Sequence, residues 1–204
     1  MRVELLGVGA MRSPRFAPAG LLVSAEGRRI AIDGGADAPV AALDAWLLTD
    51  EHAELAPEIR RRAAALHVVA AVRRYSCPGL DIRPRRVVHT SHPAYGYDIH
   101  WRGRRIVWAP EFWRFPRWAA RADIVFAEAA GWSRPIRFAN GVGGHAPVLD
   151  VVRAADRLGV RRLVFAHIGR PTIRAIDAGL RPSFGEFGRD GRRYIVRARR
   201  GVPD

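Results

Sequence analysis

The chain has 204 residues, 49% apolar and 26% charged, enough to bury a sizeable core in a single domain spanning 1–204. Its formal net charge is +14 and all 34 basic residues are arginine, which suits a phosphate-bearing substrate or a nucleic acid and equally a generally arginine-rich surface. One cysteine, Cys77, excludes an internal disulfide and a cysteine-rich zinc knuckle, and with no apolar run near the roughly 20 residues of a membrane span the cytoplasm is the expected location.

In chain order, "VELLGVGA" and "AGLLVSAEGRRIAIDGG" predict three short strands, the last two joined at Glu26-Gly27 as a hairpin. "LDAWLLT" (43–49) reads as a strand buried on both faces. Pro57 then opens "PEIRRRAAALHVVAAVRRY", whose apolar spacing predicts one helix that "SCPG" stops. The middle is strand-like: "RRVVHTS", "YGYDIHWRGRRIVWA" with its turn at Arg102-Gly103, and "ADIVFAEA" (122–129). "ANGVGGH" reads as a flexible glycine loop leading into an amphipathic helix, "APVLDVVRAADRLG". "RRLVFAHIG" is a further buried strand and "DGRRYIVRA" the last. Strands followed by strand–helix–strand alternation predict a layered α/β architecture.

Several of these strands end in an ionisable residue. "IAID" ends at Asp33, "AWLLTD" at Asp50 with His52 and Glu54 beyond it, "RRVVH" at His89, "IVWAPE" at Glu111 and "LVFAH" at His167. Carboxylates and imidazoles gathered at one sheet edge need a compensating charge, and a divalent cation supplies it.

This order of motifs resembles the metallo-β-lactamase superfamily along most of the chain. The resemblance implies a four-layer αββα sandwich with the metal site at one edge. "TDEHAEL" stands where that family has T-H-x-H-x-D-H, so Asp50, His52 and Glu54 fall on ligand positions and Leu55 replaces the last histidine. "HTSHPAYGYDI" is similar to the third-histidine region, with His89 and His92 both open for that role. Glu111 takes the place of the metal-bridging aspartate and His167 that of the last histidine. "FAEAAG" and "GGHAPVLDVVRAADRLGV" are similar to the corresponding region of the transfer-RNA 3′-processing endonucleases and their phosphodiesterase relatives, with His145 at the loop histidine.

The resemblance therefore implies Asp50, His52, Glu54, His89, Glu111 and His167 as metal ligands, and Glu54 and His145 as proton carriers. One or two divalent ions are expected: zinc by family, or manganese, iron or magnesium by the oxygen-rich donor set. Because the missing histidine serves the second metal in the family, Leu55 puts that ion in doubt. The implied activity is hydrolysis of a phosphodiester in a nucleic acid or nucleotide. The alternative is a degenerate member of the fold that binds a ligand or nucleic acid without hydrolysis. A homodimer is the assembly that branch implies, and no membrane partner is expected.

Asp33 reads as structural, accepting backbone N–H bonds. His67 and His100 also read as structural. "WAPEFWRFPRW" could stack bases between arginines, or simply pack.

Overall fold

The computed structural model describes residues 1–35, 37–139 and 142–199. One group of strands comprises β1 (Arg2–Gly7), β2 (Gly20–Ala25), β3 (Arg28–Asp33), β4 (Ala45–Leu47), β5 (Ala70–Ala71) and β15 (Arg193–Ile195). They form a sheet in the order β15-β1-β2-β3-β4-β5. The other group comprises β6 (Tyr75–Cys77), β7 (Leu80–Val87), β8 (Ala94–Trp101), β9 (Arg104–Ala109), β10 (Ile124–Ala129), β13 (Leu163–Ile168) and β14 (Glu186–Phe187). These run β14-β13-β10-β9-β8-β7-β6. A separate pair, β11 (Ile136–Arg137) and β12 (Gly144–His145), lies in the loop before α2 (Val148–Arg157).

The inner faces of the two sheets share one apolar core that includes Leu5, Leu21, Ile32, Leu47, Tyr97, Trp108, Phe126 and Phe165. Outside the first sheet, Leu22, Ala31, Trp46 and Leu48 pack under α1 (Ala56–Ala65) through Ile59 and Ala63. Outside the second, α2 lies on β10 and β13. Helix, sheet, sheet, helix is the αββα sandwich expected from the sequence.

Among the hydrogen bonds that stitch the sheets together are two from fully buried aromatic side chains. Trp108 Nε1 donates to Asp33 Oδ2 at 2.7 Å and Tyr97 Oη to the Leu48 carbonyl at 2.9 Å. Both hairpins form where the sequence places them, with Glu26 and Gly27 at φ 52° and 70° and Arg102 and Gly103 at 43° and 71°, the double left-handed turn that matches strand twist.

The long helix predicted from Pro57 to Tyr75 is a correction. α1 ends at Ala65, and His67 turns left-handed at φ 58°. The chain then runs parallel to β4, with Ala70 opposite Trp46. Val68 and Val72 still pack on the cluster beneath α1, so the apolar spacing marks one buried face reached by two different backbones. A third helix, α3 (Arg170–Asp177), has no counterpart in the sequence reading. No helix among the described residues is long and apolar enough to cross a membrane.

Candidate metal centre

Five segments bring histidines and carboxylates to one end of the second sheet, among them β12 with His145. β9 delivers Glu111 just past its last residue, and β10 carries Glu128 inside the strand. β13 carries His167 at a bulge, where pairing with β10 shifts between Ala127 and Ala129. His167 has φ 58° there, an uncommon conformation for a residue with a side chain, of the kind that collects at functional sites. The loop between β7 and β8 carries His89 and His92.

The side chains form a continuous chain of bonds. Glu111 Oε1 meets His167 Nε2 at 2.8 Å, and its Oε2 meets His89 Nε2 at 2.9 Å. The far nitrogen of each ring is also held: His89 Nδ1 donates to the Gly144 carbonyl at 3.0 Å, and His167 Nδ1 to Glu128 Oε1 at 3.0 Å. His145 Nδ1 donates to Glu128 Oε2 at 2.8 Å, and its ring stacks on His167 with centroids 5.1 Å apart.

Charges follow from this geometry. Burial disfavours an ionised Glu128, yet the charges and bonds of His145 and His167 outweigh it and hold the carboxyl down at about 2. Burial likewise opposes a charged His167, but Glu111 and Glu128 raise it to about 10. His89 is raised as well, its bond to Glu111 overcoming desolvation, and Glu111 is held well below the usual carboxylate range against its own burial.

The donor set fits a divalent ion at Glu111. Both histidines aim Nε2 at its carboxylate while Nδ1 is fixed by an acceptor, the arrangement that sets the tautomer and orientation of metal-binding histidines. An ion there would take the place of two ring protons. Among the described residues, the group whose ligand atoms all lie within 4.8 Å of one another is Glu128, His145 and His167. Glu128, however, is full: Oε1 accepts from Ala129 N, Ala130 N and His167 Nδ1, and Oε2 from Phe112 N and His145 Nδ1. Five donors exhaust a carboxylate's roughly four lone-pair positions, so Glu128 orients the histidines, and Glu111 is the other carboxylate of this group that could hold an ion.

The first sheet contributes a second, looser group. Asp50 accepts the His52 backbone N–H at 2.7 Å through Oδ1 and meets His92 Nε2 at 2.7 Å through Oδ2. The exposed His52 ring lies against His92, centroids 5.0 Å apart. Asp50 shares the lining of one cavity with Glu111 and His167. Glu54 reaches that cavity but pairs with Arg12 at 3.0 Å, both side chains more than half exposed (55% and 79%). Of the sequence candidates, His89, Glu111 and His167 are thus joined directly and His145 through Glu128, Asp50, His52 and His92 form a neighbouring group, and Glu54 joins neither.

Glu128 was missed. The "FAEA" strand is apolar on both sides of it, so nothing in the local pattern separates it from a core position; the signal lay in the endonuclease-like "FAEAAG" motif. The glycine loop also differs from its expected role. A Cβ on Gly143 would fall 1.8 Å from the His89 carbonyl oxygen, and one on Gly144 2.1 Å from that of Ile136. With Gly144 N donating to His89 O at 2.8 Å, these glycines clamp His89 by close approach rather than lending flexibility; Asn140 and Gly141 lie outside the described residues. Asp33 accepts Thr49 N at 2.7 Å and Thr49 Oγ1 at 2.9 Å. In the aromatic segment Trp108 and Phe112 are core, while Arg85 covers Trp118 and Arg137 covers Trp113.

The fold and this site define a metallo-β-lactamase-type protein. Residues 19–168 match the family described as the beta-lactamase superfamily domain, and the chain belongs to it. No curated protein matches by sequence. Among solved structures, the fold is similar to the metallo-beta-lactamase fold protein YhfI from Bacillus subtilis, with TM-score 0.73, 15% identity and 95% and 99% of the two chains covered. It is also similar to a diphosphatase of the PhnP family (TM-score 0.71, 16% identity, 97% and 98% covered). The short form of human tRNase Z gives TM-score 0.68 at 15% identity, with 100% of each chain covered. At such identities the likeness concerns the fold alone.

Proposed function

We propose that the chain is a metal-dependent hydrolase that cleaves a phosphodiester. The observation that carries this is the convergence of His89 Nε2 and His167 Nε2 on the two oxygens of Glu111. The +14 charge supports the phosphoryl part, as do structural neighbours named a diphosphatase and a tRNase.

His89, Glu111 and His167 would hold the ion. When bound, a divalent ion supplies Lewis acidity and brings water within reach of deprotonation at neutral pH. The buried Glu128 keeps the Nδ1 proton of His167 in place and fixes His145 beside it. With Nδ1 committed to Glu128, His145 has Nε2 left to give a proton to the departing alkoxide. Glu54, expected as a ligand and proton carrier, has its carboxylate engaged by Arg12.

The test is metal analysis of purified protein joined to turnover of bis-p-nitrophenyl phosphate with Mn²⁺, Fe²⁺ or Zn²⁺ added. Near-stoichiometric metal, and turnover that Glu111→Gln abolishes, are the expected results; turnover no greater than that of Glu111→Gln removes the proposal. A second reading, binding without hydrolysis, is favoured by two features: Leu55 stands where the resemblance has a ligand, and Asp50 spends both oxygens on His52 and His92. Protein that retains no metal after supplementation supports it.

A further inference from the structure

The cavity shared by Asp50, Glu111 and His167 has a volume of about 310 Å³. Its lining includes Glu111 and His167 of the candidate metal centre, but most of the other lining residues are apolar. Leu48, Ala53, Leu55 and Ile59 line it, as does Met11 of the β1–β2 loop. That loop is pinned at both roots, Val8 N and Ala17 N donating to the two oxygens of Asp190 at 2.9 and 2.8 Å. Although the chain has 34 basic residues, Arg12 is the one arginine among the described lining residues, and Glu54 already engages it.

We propose that this cavity receives an apolar ester group of the substrate, an alkyl or aryl group of about one ring. This deepens the phosphodiesterase reading and rests on it. Size is the first argument: 310 Å³ lies at the small end of ligand sites, which run from about 300 to 1,000 Å³, and is about twice the ~150 Å³ cavity known to bind benzene. Charge is the second. The next phosphate of a polyanion would need a cation here, and the one arginine of the lining, Arg12, is paired with Glu54 while the rest offers mostly apolar groups. Position is the third: Leu55, which the sequence resemblance sets at a ligand position, lines the same cavity as Glu111 and His167. The scissile phosphoryl group would rest by Glu111 and His167 and the apolar arm against Leu55 and Ile59.

The probes are phenylphosphonate and methylphosphonate, titrated by calorimetry into protein loaded with whichever of Mn²⁺, Fe²⁺ or Zn²⁺ it retains. The phenyl compound is expected to bind at least about tenfold more tightly, the discrimination apolar pockets achieve. Ala53→Leu, which fills the cavity, is expected to erase that preference, and Leu55→Asn to reduce it to within about threefold. Benzyl alcohol, which needs no metal, is expected to shift the methyl resonances of Leu48, Leu55 and Ile59. Equal affinities for the two phosphonates, a ring preference that survives Ala53→Leu in folded protein, or unmoved methyl resonances overturn the proposal. Ring preference without turnover of any phosphodiester removes the hydrolase reading and leaves the cavity assignment standing; turnover without ring preference does the reverse.

Discussion

His167 and Glu128 are joined by a 3.0 Å bond from Nδ1 to Oε1, with Glu128 fully buried. Five donors meet this carboxylate, three on one oxygen and two on the other, as detailed above. Glu128→Gln turns one oxygen into an N–H₂ that faces donors. The expected cost is about 1–3 kcal/mol in denaturant unfolding. Metal affinity should also fall, by about 10–100-fold in competition with a chelator, because His167 loses the partner that orients it.

Proton and metal compete for His167. The folded pKa of about 10 lies above the ordinary 6.5, so in metal-free protein the imidazolium contributes stability that is complete below about 6.5 and lost as pH rises through about 10. Metal-bound protein keeps Nε2 unprotonated and does not share that loss. The gap in Tm between loaded and metal-free protein should therefore widen with pH across this window. Metal affinity should climb about tenfold per pH unit for each proton displaced, which chelator titration at several pH values measures.

Gly143 carries φ 76°, and an added Cβ would collide with the backbone of His89. Gly143→Ala should cost at least about 1–3 kcal/mol from backbone strain alone and displace the ring that faces Glu111. Unfolding and metal titration on the same sample read both effects.

Asp33 shows the opposite titration to Glu128. Burial raises it from 3.8 to about 7, although Trp108 and Thr49 bond to its ionised form. Its contribution to stability therefore shrinks as pH rises from about 4 to about 7. Asp33→Asn should destabilise by about 1–3 kcal/mol near pH 4, where an amide N–H₂ opposes Trp108 Nε1, and by less near pH 7. Metal content should be unchanged.

Glu54→Gln removes an exposed pair with Arg12. A change under about 1 kcal/mol in stability is expected, with metal stoichiometry equal to that of the unaltered chain. A lost metal equivalent would return Glu54 to the ligand set.

Much of this was legible in the sequence because strand ends announce themselves. Asp33, Asp50 and His167 each follow an apolar run, and the two turn pairs carry their glycines. The helix after Pro57 misled because Val68 and Val72 bury against the same face by strand geometry as they would by helical geometry. Glu128 was hidden for a related reason: a carboxylate satisfied by backbone amides is indistinguishable in one dimension from any other residue inside a buried strand. The pairing of His92 with Asp50 and of His89 with Glu111 depends on how the loop after β7 folds, which spacing alone left open.

Glu111, Glu128 and His167 all hang from the second sheet, whereas Leu48, Leu55 and Ile59 belong to the first sheet and its helix. On the proposed reading, reactivity and selectivity have separate scaffolds that meet across a seam. Substitutions on the first scaffold can retune which molecule is admitted while leaving the reacting groups undisturbed, a division that lets one fold acquire new preferences without rebuilding its chemistry.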